Sequence, residues 1–228
     1  MNEIHPTAII GENVKLGKGN KILPYTIILG PTEIGDDNII GPHAVIGSPG
    51  QDTRNPRYDS SNSFIKIGNR NIIREFCAIQ KPCYEEITLL EDDIYLMQSV
   101  HIPHDAQISD KVVITPMCVL AGITRILEGA NLGMGATINQ YCVVGQFSIV
   151  ATGAAIMKNI KPFSRYIPGK PMSINEYALK KYGLMDFFSE INQYVMEDIK
   201  PNSEEILRHI NLFEDLHIKS KRQMYTNG

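Results

Sequence analysis

The sequence predicts an all-β chain: a parallel β-helix of hexapeptide repeats, followed by a small α-helical tail. Three observations carry that prediction. The first is a beat of six. Branched aliphatic residues recur every sixth place from Ile4 to Ile46, return at Ile67, Ile73 and Ile79, and then run from Leu90 to Ile156 without a miss. A period of six fits neither an α-helix nor an ordinary two-faced strand, and marks a prism of short strands and corners. The second is a track of small residues two places before the beat: Ala8, Thr26, Ala44, Cys77, Ala106, Cys118, Ala130, Ala136, Cys142, Ser148 and Ala154. These are expected at tight corners, where bulk is penalised. The third is the end of the beat after Ile156, where Pro162, Pro168, Gly169 and Pro171 intervene.

Taken in order, three hexads make a coil of 18 residues, and residues 1–165 form the prism. Coils paired at about 4.8 Å give seven or eight layers and a body roughly 35 Å long. Two stretches break the period. Residues 48–64 are polar and rich in Pro, Gly, Asn and Ser, and read as a long loop leaving the prism, of the kind that is usually functional or disordered. Lys81 to Thr88 form a shorter excursion. Residues 166–228 form a helical extension. Ser173 with Glu176 reads as a capping box for a short helix ending near Gly183. Two more segments, Met185 to Ile199 and Ser203 to about Arg222, have helical spacing. The extension is too short for much core of its own and is expected to pack on the prism or on a neighbouring subunit.

A formal charge of −3 and a pI near 6.1 argue against a general nucleic-acid binder. No apolar run approaches a membrane span, and the N-terminus lacks the basic and apolar stretches of a signal peptide. The expected location is the cytoplasm. Three of the four cysteines sit on the small-residue track, and their spacing matches no zinc or disulfide framework.

Coils of 18 residues place His104, Gly122 and Gln140 in one column. His104 lies two places past the inward Ile102, so its ring is expected outside the core. Gly122 has no side chain to cover its backbone. A histidine beside an open N–H suits acyl transfer: the imidazole takes a proton from the attacking group, and the N–H steadies the oxyanion. An idle surface histidine and a routine repeat glycine are the plain alternative. Gly122, however, lies off the hexad position that glycine usually takes in this chain.

At these residues the chain resembles the UDP-N-acetylglucosamine O-acyltransferase family, the acyltransferases that begin lipid A biosynthesis. The matching segments are HPTAIIG, GSPGQD, IGNRNIIRE, LMQSVHIPHD, LAG ending at Gly122, GMGATINQYCVVG and NEYALKKYG, spread over most of residues 4–184. The resemblance implies a left-handed prism and a homotrimer with active sites between subunits. It implies His104 as general base, Asp105 as its orienting partner and Gly122 as the oxyanion-hole residue. Gln51, Asp52, His101 and Gln140 match positions that contact the sugar nucleotide or acyl donor, and Asn175 and Lys181 match nucleotide-contacting positions. The family's usual histidines are replaced by Asn139, counted with the binding residues, and by Ile123. The helical tail also departs from the family pattern.

The resemblance thus implies a thioester-dependent acyltransferase with no bound cofactor or metal. Its co-substrate is acyl carrier protein or coenzyme A, carrying an acyl group, expected as 3-hydroxyacyl, for a nucleotide-linked sugar. A second version transfers the acyl group from acyl-CoA to a UDP- or dTDP-linked amino sugar, and the turn Pro168-Gly169-Lys170-Pro171 points weakly that way. Lys158, Lys161, Lys170, Lys180 and Lys181 are candidates for meeting an acidic carrier. A remoter reading is a zinc enzyme of carbonic anhydrase type, with ligands from His101, His104 and one of His5, His43, His209 or His217. A non-catalytic scaffold of the same fold is the last alternative.

Overall fold

The computed structural model describes residues 1–52 and 63–226. The core of the expected loop at 48–64 therefore lies outside the described residues. Among those described, short parallel strands form three sheets of ten, eight and seven strands. Up to residue 156, each strand pairs with the strand three places on in the chain, as a three-sided coil requires. The register confirms the 18-residue coil: Tyr95 pairs with Val113, Val113 with Asn131, and Asn131 with Ile149. The two interruptions appear as register steps of 33 residues, Ile34 to Ile67, and 23 residues, Ile67 to Leu90.

The aliphatic beat forms the core. From Ile22 onward its members are almost fully buried, among them Ile28, Ile40, Ile102, Ile108, Leu132 and Ile156 at 0% exposure. Each such side chain contributes roughly 1.5–3 kcal/mol by leaving water. Ile4, in the first coil, remains 45% exposed because no coil stacks beneath it.

The corners correct the sequence reading. The residue that turns the chain lies three places before the beat, not two. Left-handed φ values recur there, at Asp93, Ser99, Asp105, Lys111, Met117, Ile123 and Tyr141 among others. The left-handed backbone costs a non-glycine residue roughly 1–2 kcal/mol. Hydrogen bonds to the preceding coil offset that cost, as from Lys111 N–H to Asp92 O and from Met117 N–H to Gln98 O. The small residues two places before the beat point into the prism, where Ala44, Ala106, Cys118, Ala130 and Cys142 are fully buried. Interior room, not backbone bending, limits their size. The larger exceptions on this track form a polar ladder: Asn20 Oδ1 accepts from Asn38 N–H, Asn38 Oδ1 from Asn71 N–H, and Asn71 Oδ1 from Ile94 N–H, at 2.8–2.9 Å.

Sheet structure continues past residue 165, with a parallel strand Ser164–Tyr166 and an antiparallel partner Ser173–Ile174. Three helices follow: α1 (Glu176–Lys181), α2 (Phe188–Glu197), entered through a 3-10 turn, and α3 (Glu204–Lys219). The expected capping box is absent. Ser173 lies in a strand, and Asn175 caps α1 by accepting the Ala178 N–H. The tail packs on its own prism. Phe147 and Phe163 share a core with Leu179, Ile191, Val195, Ile206 and Ile210, while Phe213 of α3 covers Leu127 and Val143. Lys161, a candidate surface cation, is instead buried to 1% exposure, paired with Asp198 and donating to Tyr194 O. No helix among the described residues is long and apolar enough to cross a membrane.

Candidate active site

The ladder bonds place the predicted column. Ile123 N–H donates to His104 O and Tyr141 N–H to Gly122 O, both at 3.2 Å, so residues 104, 122 and 140 stack one coil apart. A cleft of about 690 Å³ opens over this column. Its walls include Gln51, Asp52, Gln80, His101, His104, Gly122 and Gln140. Six of the ten predicted site residues thus share one cavity. Asp105 lies directly behind it. Asn139 lines an adjoining small groove, where its Nδ2 approaches Met157 Sδ at 3.6 Å and its Oδ1 accepts the Gln140 N–H at 2.8 Å.

His104 is 7% exposed, and its imidazole lies flat against Gly122. A Cβ at residue 122 would fall 2.2 Å from Cε1 and 2.5 Å from Nε2. Nδ1 bonds to Asp105 Oδ2 at 2.7 Å. Asp105 is fully buried, and three successive backbone N–H groups, of Cys83, Tyr84 and Glu85, donate to its carboxyl oxygens at 2.7–3.2 Å. Such a nest of amides is a ready-made anion site. With Nδ1–H donated to Asp105, the Nε2 lone pair faces the cleft as a proton acceptor. Neither Nε2 nor the Gly122 N–H has a hydrogen-bond partner among the described residues. The arrangement is a base held by a buried acid, next to an uncommitted N–H donor.

Around this pair, Tyr84 tilts its ring toward His104 at 5.8 Å and donates its hydroxyl to Asp52 Oδ2 at 2.5 Å. Gln80 Oε1 is buried without a hydrogen-bond partner among the described residues. Burial, with His104 adding to it, holds the His101 imidazole below its ordinary value. The thiols of Cys77 and Cys142 are pushed up to about 11 by burial, which keeps them protonated and unreactive.

Two predicted residues lie apart from the cleft walls. Asn175 is buried, and its Nδ2 donates to Phe147 O at 2.8 Å, so its amide is occupied at both ends. Lys181 is exposed in the last turn of α1, with Nζ 4.9 Å from the Tyr182 ring centre. The remaining histidines considered as third metal ligands are engaged elsewhere: His5 with the Thr7 hydroxyl, His43 between Tyr25 and Phe76, His209 against Phe147 and Phe163, and His217 on Asn159.

Sequence reasoning missed the Cys83–Glu85 nest, Tyr84 and Gln80. A signal was present, since the second break in the beat ends two coil corners before His104.

Fold and cleft define a class, the hexapeptide-repeat acyltransferases. The family description "Bacterial transferase hexapeptide (six repeats)" matches residues 13–48. The acyl-[acyl-carrier-protein]–UDP-N-acetylglucosamine O-acyltransferase of Thermodesulfovibrio yellowstonii is 31% identical, over 82% of this chain and 80% of that protein. That of Herminiimonas arsenicoxydans is 34% identical, over 80% and 77%. Among solved structures, Francisella novicida UDP-N-acetylglucosamine acyltransferase superposes with a TM-score of 0.80 at 24% identity, covering 99% of this chain and 90% of that one. The Bacteroides fragilis enzyme gives 0.68 at 25%, covering 98% of each. The chain belongs to the UDP-N-acetylglucosamine O-acyltransferase family. Its prism is the left-handed parallel β-helix.

Proposed function

We propose that this protein transfers a 3-hydroxyacyl group from the thioester of acyl carrier protein to a hydroxyl of UDP-N-acetylglucosamine, as an early step of lipid A biosynthesis. The observation that carries this reading is the uncommitted Nε2 of His104 beside the uncommitted N–H of Gly122. His104 Nε2 accepts the proton of the sugar hydroxyl as its oxygen bonds to the thioester carbon. The carbonyl π pair moves onto oxygen, and the Gly122 N–H donates to that oxyanion. Collapse of the tetrahedral intermediate breaks the C–S bond, and the imidazolium returns its proton to the leaving sulfur. Asp105, held by its three amide donors, steadies the imidazolium.

In this reading Gln51, Asp52, His101 and Gln140 bind the acceptor along the cleft, with Asn139 beside it. Lys181 reaches the nucleotide, and Asn175 serves by fixing the start of α1, which carries Lys181. The protein works as a homotrimer, and a second copy closes each cleft. Exposed Val119 and Met157, beside the cleft, support this. The exposed Lys170 and Lys180 offer charge to an acidic carrier.

The test is a screen of acyl carrier protein and coenzyme A thioesters against UDP- and dTDP-linked sugars, read by thiol release. Turnover with 3-hydroxyacyl carrier protein and UDP-N-acetylglucosamine is expected. Turnover only with acyl-CoA and an amino sugar would replace this substrate assignment.

A further inference from the structure

The excursion at residues 81–86 supplies the three amides that hold Asp105, yet it belongs to no sheet. What anchors it lies two coils on, past Gln107. Arg125 Nη2 pairs with Glu85 Oε1 at 2.5 Å, and Arg125 Nη1 donates to the main-chain oxygen of Asp105 at 2.8 Å. Gln107 Nε2 adds a contact to Glu85 Oε2 at 3.3 Å. Glu85 is therefore gripped twice. Its N–H makes the shortest bond of the nest, 2.7 Å to Asp105 Oδ1, and its carboxylate is held by the guanidinium.

We propose that Arg125 is a positioning residue for acyl transfer: by bridging Glu85 to the Asp105 carbonyl, it locks the amide nest onto the Asp105 carboxylate and so fixes the His104 ring.

Three features support a role beyond packing. The strand does not ask for arginine, since its register neighbours Gln107 and Val143 are uncharged. The pair is partly withdrawn from water, with side-chain exposures of 14% for Arg125 and 32% for Glu85, so it is less screened than a surface ion pair. The two contacts also use the planar fork of a guanidinium, which addresses a carboxylate and a carbonyl at once and which a lysine ammonium does not reproduce. Asp105 sits at a left-handed corner, φ 63°, and Arg125 is the side chain that ties its carbonyl down.

The proposal rests on His104 as the base, and its test separates the two. Full-length R125Q, R125K and E85Q are compared with the wild type by steady-state kinetics, and by the downfield NMR signal of the His104 Nδ1 proton, assigned by its absence in H104A. R125Q is expected to lose about ten- to a hundredfold in kcat, the scale of a small misplacement of a catalytic group, with acceptor KM changed by less than about threefold. Its Nδ1 signal should disappear. R125K should recover part of kcat, and E85Q should fall between R125Q and the wild type. A folded R125Q with wild-type kcat and an intact signal would overturn the proposal, and so would a loss confined to KM. If R125Q does not fold, R125K and E85Q are judged by the same two readouts. If the wild type transfers no acyl group, the functional reading fails, yet retention or loss of the Nδ1 signal still decides the role of Arg125.

Discussion

Replacing Gly122 with alanine places a methyl group where the His104 ring now lies. The new Cβ would sit 2.2 Å from Cε1, 2.5 Å from Nε2 and 2.9 Å from Nδ1. Ordinary contact needs more than 3.4 Å, so the ring must retreat by roughly 1 Å, a displacement that can cost on the order of 10² in rate. It cannot pivot freely, because Nδ1 is held 2.7 Å from the fully buried Asp105. The methyl group also crowds the N–H assigned to the oxyanion, and loss of one such donor costs roughly 10²–10³. The two effects share one cause and do not multiply, so kcat should fall about 10²–10³ with KM nearly unchanged. Residue 122 lies outside the left-handed region, so alanine brings no backbone strain. The smaller unfolded-state entropy of alanine, worth about 0.4–1 kcal/mol, offsets part of the clash, and Tm should stay within a few degrees. Steady-state thiol release and thermal unfolding measure both quantities. A folded G122A enzyme with kcat within threefold of wild type would refute the reasoning.

Asp105→Asn should lower kcat by roughly 10⁴ and also reduce stability, because a neutral amide gives up charge-assisted bonds from three amides and presents an N–H to Nδ1; kinetics and denaturant midpoints measure the two effects separately. His101 should make the fold sensitive to acid. The unfolded chain takes up its proton at the ordinary value of 6.5, whereas the buried ring resists until lower pH. Its stability contribution is therefore complete above 6.5 and falls as pH drops through the window below that value, as it does for His209, held down mainly by burial against Phe147 and Phe163. Urea midpoints at pH 7.5 and 5.0 should differ less in His101→Gln than in wild type, and equal differences would contradict the assignment. Ile108→Ala, in the middle of the ladder at 0% exposure, should cost about 2–5 kcal/mol without changing the chemistry of the surviving folded protein, as shown by unfolding curves and by kcat at low temperature.

The parts legible in the sequence are those a repeat controls. The aliphatic ladder follows from side-chain direction alone, and counting coils of 18 brings His104, Gly122 and Gln140 together because stacked strands keep register. Other features obey longer-range rules. The left-handed corner track holds tyrosine, aspartate, arginine, lysine and isoleucine, so it leaves no compositional mark; ladder hydrogen bonds, not residue type, stabilise it. The amide nest around Asp105 arises where an excursion folds back across a neighbouring coil; the break in the beat marks that excursion, but spacing within the prism does not show that its amides meet Asp105. Asn175 looked like a ligand contact but caps a helix, since an asparagine near a helix start has a local use for its amide. Lys161 looked like surface charge, yet its pairing with Asp198 depends on how α2 ends against the prism.

The most direct measurement is acyl transfer from 3-hydroxyacyl carrier protein to UDP-N-acetylglucosamine by wild-type protein and by His104→Ala, each checked for fold and oligomer size. The wild type should turn over. The variant should lose roughly 10²–10⁴ in kcat, the contribution of a general base, while still binding the acceptor. Near-normal turnover by the folded variant would contradict the account, because no other group among the described residues of the cleft pairs an anchored, uncommitted imidazole nitrogen with the Gly122 N–H.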